Sequence, residues 1–227
     1  MTQDPSHNSQ RPLQAAKPAR ERFSFLYRVA RGLSWLLFHT VFPIRYHGVE
    51  KAQLDAPFMI IANHNNMLDP LIVGWKCKRY QIRFLGKKEL AANPFLKWVF
   101  AQLHMIPVDR HNMDMTAVRT CLKALNEGHA LGIFPEGTRH KQGVMQDLES
   151  GVAILALRAK VPLLPVLISR PPRLFKRAHC YYGDPIRVDE LAAAGIDKAN
   201  CDRLLALITQ TYEGMVAAHE KSLAAGL

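Results

Sequence analysis

Two side chains in the segment MIIANHNNMLDP have the types and spacing of a proton-transfer pair, His64 and Asp69. The apolar run Phe58–Ala62 predicts a buried strand that delivers His64 into a polar loop, and Asp69-Pro70 predicts an N-cap followed by proline in a helix's first turn. If the loop curls back, the Asp69 carboxylate accepts a hydrogen bond from Nδ1 of His64, fixes the tautomer and leaves Nε2 as a general base. This pair resembles the His–Asp half of a serine hydrolase triad. The chain has no G-x-S-x-G motif, so the activated hydroxyl would belong to the substrate.

Spacing alone does not single out this pair, because histidine precedes aspartate by five residues three times: His64 and Asp69, His104 and Asp109, and His179 and Asp184. In the second and third cases the intervening residues predict a strand. An odd offset along a strand sends two side chains to opposite faces, so those pairs should not meet. Only the first pair has a strand, a loop and a helix start around it.

A second candidate is the segment FPEGTR, residues 134–139, which follows the apolar strand run Leu131–Phe134. Gly137 lets a ligand approach the backbone closely, and Arg139 has the planar donor fork that grips a phosphate. Glu136 and Thr138 would also lie at a strand end, where α/β folds place their ligands. The alternative is a tight turn with a surface ion pair between Glu136 and Arg139.

Cations recur in three further places. IPVDR ends a predicted strand in Asp109 and Arg110, which could simply pair with neighbouring groups. The run Lys76–Lys88 contains no acid, and residues 170–177 contain four cations. Each of these two basic segments has two interpretations, a solvated surface or a patch that binds phosphate or lipid headgroups.

After Gly48 the chain alternates between short apolar runs and helical periods, which is typical of an α/β domain. The predicted strands are 58–62, 82–85, 105–108, 131–134, 163–168 and 180–182. The predicted helices are 70–77, 93–102, 116–127, 150–160 and 202–218.

The N-terminal part divides into two segments. Residues 1–21 predict a disordered basic leader that contains Pro5, Pro12 and Pro18. Residues 22–46 are aromatic and basic, which favours a helix lying among lipid headgroups, although a core-packing helix with a basic end is the alternative. Residues 47–227 are expected to form the catalytic domain that contains His64 and Asp69.

Composition narrows the partners and the compartment. The chain has 30 Lys and Arg residues against 19 Asp and Glu residues. The resulting net charge of +11 indicates an anionic partner. The four cysteines contain no C-x-x-C pair, which indicates a reducing compartment. No apolar run is long enough to span a bilayer, and the polar N-terminus has no secretory signal. No nucleotide or metal motif occurs, so we expect no cofactor and no metal.

In this order, NHNNMLD, MIPVDR, FPEGTR and KVPLLPV resemble the four motifs of the glycerolipid acyltransferase family. The resemblance implies a mixed central sheet flanked by helices, preceded by a membrane-interfacial helical segment. It implies that His64 is the base and Asp69 its orienting partner. It also implies a set of residues that hold the acceptor phosphate: Lys87, Arg110, Glu136, Gly137, Thr138 and Arg139. Asn66 and His140 stand where many members have serine, which bears on the choice of acceptor.

The function that follows from this resemblance is an O-acyltransferase of phospholipid biosynthesis on the cytoplasmic face of a membrane. The expected reaction moves a fatty acyl group from acyl-CoA or acyl carrier protein to lysophosphatidate, and an anionic lipid surface is the expected partner. The alternatives are another acceptor, such as glycerol-3-phosphate or a lysophospholipid, and a catalytically silent lipid-surface binding protein. Nucleic acid is not expected as a partner, because the basic and aromatic interleaving of single-strand binding modules is missing.

Overall fold

A computed structural model describes residues 23–54, 57–109, 114–137, 144–145 and 148–225. Its helices are α1 (Phe25–Thr40), α2 (Asp69–Gly74), α3 (Pro94–Gln102), α4 (Met115–Asn126), α5 (Ser150–Ala159), α6 (Asp189–Ala194) and α7 (Lys198–Ala224). Its strands are β1 (Ile44–His47), β2 (Met59–Ala62), β3 (Arg83–Lys87), β4 (Ile106–Val108), β5 (Leu131–Ile133), β6 (Leu163–Ile168) and β7 (Ala178–Tyr182). Two short 3-10 helices cover Val49–Ala52 and Lys88–Ala92.

The seven strands form one mixed sheet in the order β1-β7-β6-β2-β5-β3-β4. Strands β6, β2, β5, β3 and β4 are parallel, while β7 runs antiparallel to β6 and carries β1 parallel to itself. The five parallel strands therefore end at one edge of the sheet, called here the carboxyl edge. In such sheets this edge is where loops bind ligands.

Strand β2 is buried on both faces, and its side chains alternate between two cores. Met59 and Ile61 pack in the core that contains residues of α4, α5 and α7. Ile60 and Ala62 pack in the other core, with residues of α1 and α2. The alternation places His64, two residues beyond Ala62, on the side of the sheet that carries α2.

All six predicted strands are present, with ends that shift by at most two residues. Strand β1 and helix α6 were missed. The terminal helix is longer than predicted and begins at Lys198, where the Asp197 side chain caps it. The four cysteines are buried and free.

Helix α1 packs against the domain, as the second interpretation of the N-terminal segment predicts, and its contact with lipid headgroups stays a prediction. Ser34 and Phe38 are buried, so one face packs against the domain. The rest of its surface exposes large apolar side chains, namely Phe25, Val29, Leu33, Trp35 and Leu36. Pro43 follows the helix, and Ile44–His47 joins the sheet, so residues 22–46 are not helical throughout. Within the described part of the chain, no helix combines the length and apolarity needed to cross a bilayer. The predicted leader lies outside the described residues.

Three histidines meet where β1, β7 and α7 come together. Nε2 of His47 lies 3.0 Å from Nδ1 of His179, and Nδ1 of His219 lies 2.8 Å from the Tyr181 hydroxyl. Burial lowers the pKa of all three imidazoles, and the nearby Arg45 lowers it further for His47 and His179. The Arg177 cation acts on His179 in the same direction, whereas Glu220 opposes the shift of His219.

This histidine cluster predicts a loss of stability in mild acid. Below the ordinary pKa of 6.5 the unfolded chain binds protons that the folded cluster does not, so the free energy of unfolding falls as the pH drops. Urea titrations at about pH 7.5 and about pH 5.5 should show this decrease, and His219→Gln should reduce it. An equal decrease in the variant and the wild type would place the effect elsewhere.

Candidate active site

The His64–Asp69 pair forms as the sequence predicted. Nδ1 of His64 lies 2.9 Å from Oδ2 of Asp69, which is fully buried. Nε2 has no hydrogen-bond partner among the described residues, and His64 keeps 8% of its surface accessible. A carboxylate on Nδ1 and an unpartnered Nε2 are the arrangement of a general base.

The Asp69 carboxylate stabilises the loop that carries His64. Besides His64, Oδ2 accepts the backbone N–H groups of Asn65 at 2.6 Å and of Asn66 at 2.7 Å. The predicted N-cap role of Asp69 is wrong, because Leu68 is the N-cap and Asp69 is the first residue of α2. The carboxylate turns back to the preceding loop instead of capping its own helix, which brings it to the imidazole.

Glu136 supports the same loop from the turn that follows strand β5. It is only 5% exposed. One carboxylate oxygen accepts the backbone N–H of His64 at 3.0 Å, and the other accepts the backbone N–H of Met145 at 2.7 Å. Glu136 therefore lies in the interior and not at the surface, while Arg139, its partner in the alternative interpretation, lies outside the described residues. Its predicted role in holding the acceptor stays a prediction, and its visible contacts position His64.

Glu136→Gln should lower both stability and turnover. The amide can accept only one of the two N–H groups, so we expect a loss of about 1–3 kcal/mol in the free energy of unfolding. A loosened His64 should reduce kcat by up to about 10²-fold. If Glu136 mainly positions His64, kcat falls while KM changes little, whereas a direct role at the acceptor would raise KM. Glu127→Gln, on the exposed end of α4, is the matched control and should change neither parameter.

Asn63 and Tyr212 hold the carboxyl ends of β2 and β6 together, and sequence reasoning missed both. The Asn63 amide accepts the N–H of Ile168 at 2.8 Å and donates to its carbonyl at 2.9 Å, as a backbone group would. The buried Tyr212 hydroxyl lies 2.5 Å from the Ile61 carbonyl and accepts the N–H of Val166 at 3.1 Å. No local pattern connects Tyr212 with strands so distant in sequence. For Asn63 the sequence did contain a signal, since a polar residue directly before His64 at a strand end is a candidate for positioning the loop.

An aromatic stack packs against the base. The ring of His64 lies 4.2 Å from that of Phe134, and Phe134 lies 5.8 Å from Phe84. Gly132 makes room for Phe84, since a Cβ atom at that position would lie 2.2 Å from the ring.

Gly132→Ala should therefore destabilise the sheet beneath His64. Overpacking of a filled core costs about 1–3 kcal/mol, measurable by urea unfolding. Gly151→Ala is the matched control, because a Cβ there meets nothing within 4 Å and lies in helix α5. Equal stability of the two variants would contradict this packing.

The remaining predicted site residues divide into two groups. Lys87 ends β3 at the carboxyl edge, and its Nζ lies 3.6 Å from the Glu89 carboxylate. Gly137 closes a turn on the Phe134 carbonyl at 3.1 Å with φ of +66°, a conformation that suits glycine. Arg110, Thr138 and Arg139 lie outside the described residues.

Among the residues that are described, no group of three His, Cys, Asp or Glu side chains is placed to hold a metal ion.

Comparison with known proteins agrees with the four motifs. The sequence model of the acyltransferase family matches residues 43–169. The 1-acyl-sn-glycerol-3-phosphate acyltransferase of Bacillus subtilis is 31% identical over 154 residues, which make up 66% of this chain and 76% of that protein. The protein of the same name from Streptococcus pneumoniae is 29% identical over 173 residues, covering 73% of this chain and 64% of that protein. This chain thus spans slightly less than two thirds of the streptococcal relative.

A solved structure shares the fold. The crystal structure of the 1-acyl-sn-glycerophosphate (LPA) acyltransferase PlsC from Thermotoga maritima superposes with a TM-score of 0.66 at 19% identity. The match covers 85% of this chain and 79% of that one. The chain therefore belongs to the acyltransferase family, the glycerolipid acyltransferases that its four motifs resemble.

Proposed function

We propose that this protein transfers a fatty acyl group from acyl-CoA or acyl carrier protein to the free hydroxyl of 1-acylglycerol-3-phosphate, giving phosphatidate. The observation that carries the proposal is the 2.9 Å contact between His64 and Asp69 at the carboxyl edge of the sheet. The names of the Bacillus and Streptococcus relatives support the choice of acceptor.

The proposed reaction needs one base and no covalent enzyme intermediate. Nε2 of His64 removes the proton of the acceptor hydroxyl while its oxygen attacks the thioester carbonyl carbon. The Asp69 carboxylate stabilises the imidazolium that forms. When the tetrahedral intermediate collapses, the C–S bond breaks and the leaving thiolate takes the proton from His64. The products are an ester and a free thiol, and the base is restored.

Cations at the carboxyl edge are proposed to hold the acceptor phosphate. Lys87 ends a strand parallel to β2 and β5, and its ion pair with Glu89 is at the surface, with both side chains about half exposed. Such a pair is weak and can exchange for a phosphate. In the sequence, Arg110 and Arg139 come after β4 and β5, the two strands that flank β3, and Gly137 and Thr138 come directly after Glu136.

A panel of acceptors and donors tests the proposed reaction. Labelled acyl-CoA and acyl carrier protein are each incubated with lysophosphatidate, glycerol-3-phosphate and lysophosphatidylcholine, and the lipid products are separated. We expect labelled phosphatidate from lysophosphatidate. Preferred labelling of another acceptor would overturn the acceptor, and vesicle binding without any transfer would instead support a catalytically silent lipid-binding protein.

We also propose that the exposed apolar face of α1 lies in the cytoplasmic leaflet that supplies the acceptor. Phe25, Leu33 and Leu36 are exposed there, and Arg28 on the same helix supplies a cation for anionic headgroups. Because Phe38 of this helix is buried in the domain, surface substitutions are a cleaner test than deletion of the segment. Leu33→Ser combined with Leu36→Ser should reduce binding to anionic vesicles without lowering the midpoint of thermal unfolding. Unchanged vesicle binding would overturn this arrangement.

A further inference from the structure

The segment between β6 and β7 forms a hairpin that the proposed reaction does not use. It comprises Arg170–Arg177 and is called here the basic hairpin. We propose that the basic hairpin is a second membrane-binding element, which inserts its apolar tip among the headgroups of an anionic lipid surface beside the active site. This inference rests on the proposed function, because that lipid surface would supply the acceptor.

The tip of the hairpin presents two large apolar side chains. Leu174 is 62% exposed and Phe175 is 77% exposed. They form the two-residue turn between Arg173 and Lys176, which are paired with each other. Exposed to water, these side chains contribute nothing through burial. At a bilayer interface, an aromatic ring would gain favourable burial of its apolar surface.

The backbone conformation at Phe175 is unusual for a phenylalanine. Its φ of +55° lies in the left-handed region, which is unfavourable for residues other than glycine. Glycine is the usual residue at such a turn position. A phenylalanine at this point therefore does not serve the turn, and its ring is available for a partner.

The charge of the hairpin fits an anionic surface. Its four cations, Arg170, Arg173, Lys176 and Arg177, are accompanied by no acid, and none occurs anywhere from residue 150 to residue 183. Nη2 of Arg170 donates to the Arg177 carbonyl and closes the base of the hairpin. The long side chains of Arg173 and Lys176 flank the tip, so they can reach headgroup phosphates while the tip enters the apolar layer.

The position of the hairpin connects it to both the base and helix α1. It follows Ile168, whose backbone is held by Asn63, the residue before His64. It therefore leaves the sheet at the carboxyl edge, where the base lies. At the tip, the N–H of Phe175 donates to the Val41 carbonyl at 2.8 Å, directly after α1. The apolar tip thus adjoins the end of the helix whose exposed face is proposed to contact the membrane.

An acidic carrier protein would also attract four cations, so the chemistry of the tip decides between the two partners. An exposed pair of apolar side chains at the end of a narrow hairpin suits insertion between lipids better than contact with a folded acidic surface. The experiment separates the two by measuring vesicle binding and donor use independently.

Two variants of the full chain test the basic hairpin. Phe175→Gly removes the ring and relieves the left-handed backbone, which offsets the greater freedom of glycine in the unfolded chain, so thermal stability should change little. The partition coefficient onto phosphatidylcholine–phosphatidylglycerol vesicles, measured by cosedimentation, should fall by about tenfold, since one large aromatic side chain is lost. Arg173→Gln combined with Lys176→Gln should lower it by roughly 25-fold, at about fivefold per cation, and weaken its dependence on salt.

Matched controls and the acyl donors complete the test. Leu223→Ser removes an exposed apolar side chain from α7, and Lys123→Gln removes an exposed cation from α4, so both should bind vesicles as the wild type does. The hairpin variants should also keep the wild-type rate with acyl-CoA and a short-chain, monomeric lysophosphatidate. If that rate is absent in the wild type itself, the proposed function fails, while the vesicle data still judge the hairpin.

Two results would overturn the membrane-binding role. One is vesicle binding of both hairpin variants within twofold of the wild type. The other is unchanged vesicle binding with a selective loss of transfer from acyl carrier protein, which would make the hairpin a carrier-docking element.

Discussion

His64→Ala should lower kcat for acyl transfer by about 10²–10⁴-fold, the usual contribution of a general base. The variant keeps Asp69, Glu136 and the strand end that carries the loop, so the domain should still fold and bind vesicles. The loss should appear mainly in kcat, because Nε2 acts on a proton that moves in the transition state. Steady-state transfer to lysophosphatidate, measured beside thermal unfolding, gives both quantities.

A second substitution at the same position separates the base from the ring. His64→Phe keeps an aromatic side chain on Phe134, which stacks on the native imidazole at 4.2 Å. It should be as inactive as the alanine variant. If the phenylalanine variant retained near wild-type turnover, His64 would have a packing role only, and the proposed mechanism would be wrong.

Asp69→Asn should have an effect of similar size, with a fall in kcat of roughly 10²–10⁴-fold. An amide in place of the carboxylate no longer stabilises the imidazolium, and it can present its NH₂ group to Nδ1 and favour the wrong tautomer. The substitution also weakens the acceptor of the Asn65 and Asn66 N–H groups. We therefore expect an additional loss of about 1–3 kcal/mol in the free energy of unfolding.

The chain offers a matched control for Asp69 with the same spacing from a histidine. Asp184 follows His179 by five residues, but its carboxylate pairs with Lys51 at 2.8 Å and its side chain is 87% exposed. His179 instead contacts His47 and Tyr181. Asp184→Asn should leave both turnover and stability nearly unchanged. A comparable loss in the two variants would mean that the Asp69 effect does not come from the imidazole.

The parts of the fold predicted from sequence are those with strong local signals. The apolar runs of β2, β5 and β6 become central strands because each is buried on both faces. The His64–Asp69 contact was predictable because a strand, a polar loop and a helix start follow one another in the sequence. The loop between the strand and the helix bends the chain back on itself. His179 and Asp184 do not pair with each other, as strand alternation predicts, since each binds a different partner.

What sequence reasoning missed depends on contacts between distant segments. Glu136 was interpreted through its neighbours in FPEGTR, yet its carboxylate lies against a backbone 72 positions away. Tyr212 bridges two strands whose contacting residues lie 151 and 46 positions before it. Strand β1 is short and only partly buried, and it is specified by its pairing with β7, so its own four residues carry little periodic signal.

The most direct test of His64 as the general base is a single-turnover measurement of acyl transfer, because membrane binding or product release can limit steady-state rates. Enzyme in excess is mixed with labelled acyl thioester and saturating lysophosphatidate, and labelled phosphatidate is followed by rapid quenching. We expect a transfer step about 10²–10⁴-fold slower in His64→Ala than in the wild type. Equal transfer rates in the two proteins would contradict this role of His64.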